Sequence, residues 1–148
     1  MAIRNYILAL LTFCSYGAQS QNPVNWDIDF DCNKQSIIFN AQIEEDWHLY
    51  AVYVPSPNEG PLPTEFHFKT NKKFKLKDSI FQKKPIMSYD KNFGVDLAYY
   101  EKSARFTQPI VTLNSKLKIS GNIKYMTCND NTCIPFDYPF EVKTKCPN

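Results

Sequence analysis

Near its C-terminal end the chain reads Tyr125-Met126-Thr127-Cys128-Asn129-Asp130-Asn131-Thr132-Cys133-Ile134-Pro135, which places two cysteines five positions apart in a short polar stretch. Thiols at that spacing can close a local disulfide and exchange it with the thiols of another protein. Such exchange needs alpha carbons about 5.5 Å apart and access for an attacking thiolate along the S–S axis. The residues between the two cysteines are small or polar, and Asn129, Asp130 and Asn131 all tolerate turn conformations. Closing so short a loop gains about 2 kcal/mol from restraining the unfolded chain, against roughly 4.7 kcal/mol for a 100-residue loop. The bond can open without unfolding its domain, which suits redox exchange. The same spacing fits a structural bond that pins a hairpin, and spacing alone does not separate the two.

The chain has five cysteines in 148 residues. Residues 1–20 carry Arg4, an apolar run from Tyr6 to Phe13, and a polar end at Ala18-Gln19-Ser20, the pattern of a secretory signal. A mature chain starting near Gln21 is expected, exported, and without the roughly 20 consecutive apolar residues that a membrane helix needs. Cys14 follows Phe13, where a lipoprotein signal would have a small residue, so it is expected to leave with the leader. Four cysteines then remain, which in an oxidising compartment predicts two disulfides with three possible pairings. One pairs Cys32 with Cys146, closing a loop of about 115 residues as a structural staple. A rival joins Cys32 to Cys128, because Cys32, Trp47 and Cys128 follow the Cys, Trp, Cys order of antibody domains. Against the rival, Tyr125 lies three residues before Cys128, not the two of a tyrosine corner.

The elements that position these residues are strands. Trp26, Ile28, Phe30 and Cys32 alternate with Asp27, Asp29 and Asp31, and after the Asn33-Lys34 turn Ile37, Phe39, Ala41 and Ile43 form a second inner face. Period-two stretches recur at Phe66/Phe68, Phe74/Leu76, Phe106 to Val111, Leu117 through Tyr125, and Phe140/Val142. No window supports a long amphipathic helix. Ten prolines and 15% aromatic residues in short strands separated by turn signals predict an all-β chain, an immunoglobulin-like antiparallel β-sandwich, with residues 21–148 forming a single domain. Two segments break the rhythm. The prolines of residues 54–63 remove ladder donors and predict a rigid surface loop. Residues 84–94 (Lys84-Pro85-Ile86-Met87-Ser88-Tyr89-Asp90-Lys91-Asn92-Phe93-Gly94) read as too irregular for a strand, a loop whose aromatics cover something.

Other chemistries find little support. The formal net charge of +2 falls by one unit with Arg4, and nothing points to nucleic acid; Lys72-Lys73 and Lys83-Lys84 read as solvated turns. His48 and His67 are isolated, so the cysteines lack the second close Cys or His pair that zinc requires, and no metal or cofactor is expected. The hydrolase and phosphate-loop signatures are absent from the sequence.

Several stretches together resemble the periplasmic N-terminal domain of the bacterial thiol:disulfide interchange protein DsbD. They are Asp46-Trp47-His48-Leu49-Tyr50, Val54-Pro55-Ser56-Pro57 with Gly60-Pro61-Leu62-Pro63-Thr64, Tyr89-Asp90-Lys91-Asn92-Phe93-Gly94, Phe106-Thr107-Gln108, and Tyr125 through Pro135 with both cysteines. The resemblance spans nearly all of the mature chain in order. It implies an immunoglobulin-like periplasmic module whose Cys128/Cys133 pair receives electrons from a thioredoxin-like domain. The electrons then pass to thioredoxin-fold acceptors of the disulfide isomerase or cytochrome-maturation type. It implies further that Cys133 forms the mixed disulfide and Cys128 resolves it. Tyr89 to Gly94 would be a cap over the bond, with Tyr89, Asp90 and above all Phe93 shielding it, and His48 and Tyr50 beside it.

The sequence departs from the family in places. Lys91 follows Asp90 where the family's best-known form has a second carboxylate, the cysteine spacing is one residue shorter, and Phe136 replaces a common proline. Cys146 lies beyond the resemblance, and neither a membrane conduit nor a thioredoxin domain is expected here.

A buried, covered thiolate reacts slowly with stray thiols, so one loop can serve both protection and partner choice. The expected function is thiol:disulfide interchange by an exported monomer. The alternative is a non-catalytic binding or adhesion sandwich with two structural disulfides. Peptide mapping of the oxidised protein should find Cys32 bonded to Cys146 and Cys128 to Cys133, whereas a Cys32 to Cys128 bond would overturn the redox reading.

Overall fold

The structure is a computed structural model that describes residues 22–56, 58–91, 93–112 and 116–146; the leader expected over residues 1–20, with its Cys14, lies outside the described residues. Eleven strands follow in chain order. They are β1 (Val24–Asp31), β2 (Ser36–Ile43), β3 (His48–Tyr50), β4 (Glu65–Phe68), β5 (Phe74–Leu76) and β6 (Phe81–Gln82). Next come β7 (Ile86–Asp90), β8 (Val95–Tyr100), β9 (Ser103–Thr112), β10 (Lys116–Cys128) and β11 (Cys133–Lys145). No helix occurs among the described residues, so none crosses a membrane.

All pairings are antiparallel and build two facing sheets. One runs β1-β2-β9-β5, with β6 also on β9; the other runs β11-β10-β3-β8-β7, with β4 also on β10. The fold is an immunoglobulin-like sandwich. Its core follows from the alternation of the long strands. Val24, Trp26 and Phe30 of β1, Ile37, Phe39, Ala41 and Ile43 of β2, and Leu117, Ile119, Ile123 and Tyr125 of β10 are all buried. Aromatic rings knit the sheets together: Phe39 lies 4.5 Å from Phe66 and 5.1 Å from Phe140, and Trp26 lies 5.5 Å from Tyr125, between ring centroids. Each such ring removed from water contributes roughly 1.5–3 kcal/mol.

Some expectations need correction. Residues 86–90, read as loop, form strand β7, paired with β8 from Ile86↔Tyr99 to Asp90↔Val95. The signal was missing because β7 is an edge strand whose Ile86, Met87 and Tyr89 are all exposed, so no buried face imposes a period of two. On β9 the buried series is Ala104, Phe106, Gln108 and Ile110, while Val111 is exposed. The buried Gln108 amide donates to the carbonyls of Lys77 and Pro109 at 3.2 and 2.9 Å, which fixes the turn after β5.

Cys32, just past β1, is bonded to Cys146, just past β11, with alpha carbons 5.5 Å apart. Since β1 and β11 end their respective sheets, this bond ties the two sheets together along one side. The antibody-like pairing does not occur.

Strand β10 is an interior member of its sheet, with β11 on one flank and β4 and β3 sharing the other. Gly121 makes the crossing with β4 possible. A methyl group there would lie 2.1 Å from the His67 carbonyl oxygen and 2.8 Å from the Phe140 ring, and backbone on one side cannot yield. Gly121→Ala should therefore destabilise the fold by about 2–3 kcal/mol, read as a lower denaturation midpoint; an unchanged midpoint would mean that β4 does not pack here.

Candidate functional site

The β10–β11 hairpin ends in the loop that carries the local cysteines. Asn129 shapes it: its side-chain oxygen accepts from the backbone N–H of Asn131 at 3.0 Å and of Thr132 at 2.9 Å, and its own N–H donates to the Thr132 carbonyl at 3.0 Å. With residues 129 and 132 joined through backbone, the next pair out, Cys128↔Cys133, is the kind without ladder bonds, where side chains approach closest. The two are disulfide-bonded with alpha carbons 4.1 Å apart. Their surroundings differ sharply. Cys128 is only 3% exposed, whereas Cys133 is exposed. Of the two, Cys133 is the residue open to solvent.

Cys128 is buried, yet not in the sandwich core. On β10 Tyr125 and Thr127 face inward, so Met126 and Cys128 face outward. There a second, smaller apolar cluster covers them, made of Tyr50 and Leu97 with Cys128, flanked by Val95, Tyr99 and Met126. The proline-rich loop closes over part of it: a methyl on Gly60 would sit 3.4 Å from Leu97 Cδ2 and 3.5 Å from Val95 Cγ2. Thr64 anchors that loop, its N–H donating to the Ala51 carbonyl at 3.1 Å and its hydroxyl to the Tyr50 carbonyl at 2.5 Å. Leu97, Val95, Tyr99 and Met126 escaped sequence reasoning. The available signal was phase, since Met126 and Cys128 fall out of step with the Leu117 to Tyr125 alternation.

His48 pairs directly with Cys128 across β3 and β10, and Tyr50 follows two residues along the same face. The His48 ring centroid lies 4.8 Å from Tyr99 and 6.0 Å from Tyr50. Burial lowers the His48 pKa below its usual 6.5, and the carboxylates of Glu101, Asp130 and Asp90 oppose that in part. Burial, with Asp90 and Tyr99 nearby, pushes Tyr50 up to about 12, so it remains a neutral phenol. Beside His48 opens a cleft of about 600 Å³, lined among others by Glu44, Asp46, Glu101, Lys102 and Asp130. Among the described residues no group of three or more His, Cys, Asp or Glu is arranged to hold a metal ion.

The β7–β8 hairpin supplies the remaining expected residues. Asp90 ends β7 opposite Val95, on the face of the apolar cluster, and its side-chain oxygen accepts from the Phe93 N–H at 3.1 Å. Gly94 closes the turn at φ 71° with its N–H on the Asp90 carbonyl at 2.8 Å, a conformation that favours glycine. Alternation puts Tyr89, 62% exposed, on the hairpin face opposite Asp90. Phe93 lies in the turn itself and is 44% exposed. The structure thus brings His48, Tyr50 and Asp90 together around Cys128, and leaves Cys133 and Phe93 both open to solvent.

The profile of the family described as "Thiol:disulfide interchange protein DsbD, N-terminal" matches residues 19–145. Among solved structures, the Neisseria meningitidis DsbD n-terminal domain in the reduced form is similar with a TM-score of 0.60 at 12% identity, covering 80% of this chain and 83% of that one. A chain from the complex between the DsbD N-terminal and PilB N-terminal domains of Neisseria meningitidis gives a TM-score of 0.58 at 12% identity, covering 80% of each. At that identity the likeness is one of fold. No curated protein sequence matches the chain.

The balance of burial against carboxylates at His48 can be measured. Its ring resonances should titrate below pH 6.5, and Asp90→Asn or Glu101→Gln should lower the midpoint further, since each removes a charge that raises it. Because the folded ring holds its proton less tightly than the unfolded one, this contribution to stability is whole above pH 6.5 and is lost as pH falls from there through the folded value. A midpoint above 6.5 would reverse the assignment.

Proposed function

The chain belongs to the DsbD N-terminal family, and from that premise we propose that residues 21–148 form one exported, periplasmic module that exchanges dithiol and disulfide with thioredoxin-fold partners through Cys128 and Cys133. The observation that carries this reading is the asymmetry of the bond, with Cys133 exposed and Cys128 buried beside it on the neighbouring strand. In the reductive direction a partner thiolate attacks the Cys133 sulfur, and Cys128 leaves with the electron pair of the broken S–S bond. The partner's second thiol then attacks the mixed disulfide, so that the partner ends as a disulfide and this protein as a dithiol. Electrons travel as thiols, and the exchange calls for no cofactor.

The hairpin of Tyr89, Asp90 and Phe93 acts as the cap in this reading, with Phe93 the ring that a docking partner displaces. His48 and Tyr50 form the wall behind Cys128. Support for a docking partner comes from the Neisseria meningitidis domain of the same fold, whose solved complex contains the PilB N-terminal domain. The electron donor would be a thioredoxin-like domain, and the acceptors disulfide isomerases or cytochrome-maturation proteins.

The test is trapping. Cys128→Ser should accumulate a mixed disulfide through Cys133 with an oxidised thioredoxin-fold protein, whose own disulfide is attacked by the Cys133 thiolate, because the resolving thiol of this chain is gone, while Cys133→Ser should trap none. Phe93→Ala should leave the denaturation midpoint nearly unchanged yet speed alkylation of the reduced protein. If Cys128→Ser traps no partner and the oxidised bond resists reduced thioredoxin, both disulfides are structural and the alternative of a binding sandwich stands. If trapping succeeds and Phe93→Ala changes no rate, the cap assignment alone falls.

A further inference from the structure

We propose that His48 carries the proton of the Cys128 thiol, accepting it when Cys128 attacks a mixed disulfide at Cys133 and returning it when Cys128 leaves. The inference rests on the interchange reading above and deepens it by assigning the proton path of the resolving step.

The geometry is that of a cross-strand pair. His48 and Cys128 stand directly opposite one another on β3 and β10, and side chains so placed share one face with beta carbons about 4.5–5.5 Å apart. Cys128 needs such a neighbour. Buried under Tyr50 and Leu97, its thiol has little contact with water, and burial without a charge partner keeps a thiol protonated and unreactive. A base on the adjacent strand supplies what the solvent cannot. The His48 ring is positioned against Tyr99 and Tyr50, while it also lines the cleft that contains Glu101 and Asp130. The ring thus packs on members of the cluster that buries Cys128 and also borders a carboxylate-lined cleft.

The charges facing His48 come from every element around it. They are Asp90 at the end of β7, Glu101 just after β8, and Asp130 in the β10–β11 turn, with Glu44, Glu45, Asp46 and Lys102 along the cleft. Tyr50 on its own strand, its pKa pushed up to about 12 by burial, stays a neutral neighbour, and the Tyr99 ring of β8 packs against His48. Burial keeps the ring's pKa below 6.5, so near neutral pH the imidazole is uncharged and able to accept.

The step balances as follows. The imidazole nitrogen takes the proton from Cys128 Sγ, and the thiolate attacks Cys133 Sγ. The S–S bond between Cys133 and the partner breaks, the partner sulfur departs with that electron pair, and the imidazolium releases its proton to the cleft. The Cys128–Cys133 bond is formed and the partner sulfur is reduced. In the opposite direction the imidazolium protonates the departing Cys128 thiolate.

The chromogenic disulfide dithiobis-nitrobenzoate reads both halves of this exchange. Added to the reduced protein, it releases one nitrothiolate when Cys133 attacks it and a second when Cys128 resolves the mixed disulfide. The informative quantity is the ratio of second-phase to first-phase rates as a function of pH, in wild type, His48→Phe and His48→Gln. Phenylalanine preserves the ring contacts with Tyr99 and Tyr50 and glutamine preserves polarity, and neither accepts a proton. In both variants the ratio should fall about tenfold or more at pH 6–7 and recover above about pH 9, where thiolate forms unaided. Ratios that match wild type at every pH overturn the proposal, as does a loss that is uniform with pH, which would indicate packing alone. If wild type shows no first phase, Cys133 is not the reactive sulfur and the interchange reading itself fails.

Discussion

Strand β10 can take only one register, because Gly121 must face the His67 carbonyl and the Phe140 ring, and that register determines which way Cys128 points. From Leu117 to Tyr125 every second side chain fills the sandwich. Two residues further, the same alternation turns Thr127 inward and Cys128 outward, away from the main core and into a separate cluster of its own. The partner strands inherit the consequence. Cys133 on β11 and His48 on β3 must flank Cys128 because both are its register neighbours, and the loop from β3 to β4 must fold back over Leu97 and Val95 to keep that outer cluster dry.

Much of this was legible in the sequence. The strands with one buried face announced themselves by alternation, and the two disulfides followed from even count, loop length and the position of Cys32 and Cys146. Strand β7 did not, since a strand at the sheet's edge with Ile86, Met87 and Tyr89 all in solvent has no dry side to select for a pattern. The outer cluster was hidden for another reason. Leu97 and Met126 are ordinary apolar residues whose meaning lies in which sheet face they occupy, and face is a property of three-dimensional pairing. Asp90, Phe93, His48 and Tyr50 were reached through family likeness alone. The structure places Asp90, His48 and Tyr50 near Cys128, while Tyr89 lies on the far face of its hairpin.

The two residues of the local bond differ in exposure, the asymmetry on which the proposed exchange rests. Cys133 offers an approach to another protein, and Cys128 is sheltered from everything except its own neighbours. A uniformly exposed pair would react with any small thiol, and a uniformly buried one with none. The difference arises from the two flanks of one pair: Cys133 begins the edge strand of the sheet, whereas Cys128 lies between two strands.

The two disulfides sit at opposite ends of the β10–β11 hairpin, some thirteen residues of strand apart, or about 40 Å. They differ in what a thermodynamic cycle of folding and reduction demands of them. For the bond that spans 114 residues, loop closure gives about 5 kcal/mol, which in a two-electron couple makes the folded bond about 100 mV harder to reduce. For the bond that spans 5 residues, the same reckoning gives only about 40 mV. Each shift is measured from that bond's own unfolded couple, so opening the Cys128–Cys133 bond takes far less stability from the fold than opening the long one. With the short bond open, nearly all of the restraint that cross-links place on the unfolded chain would still be held by Cys32 and Cys146.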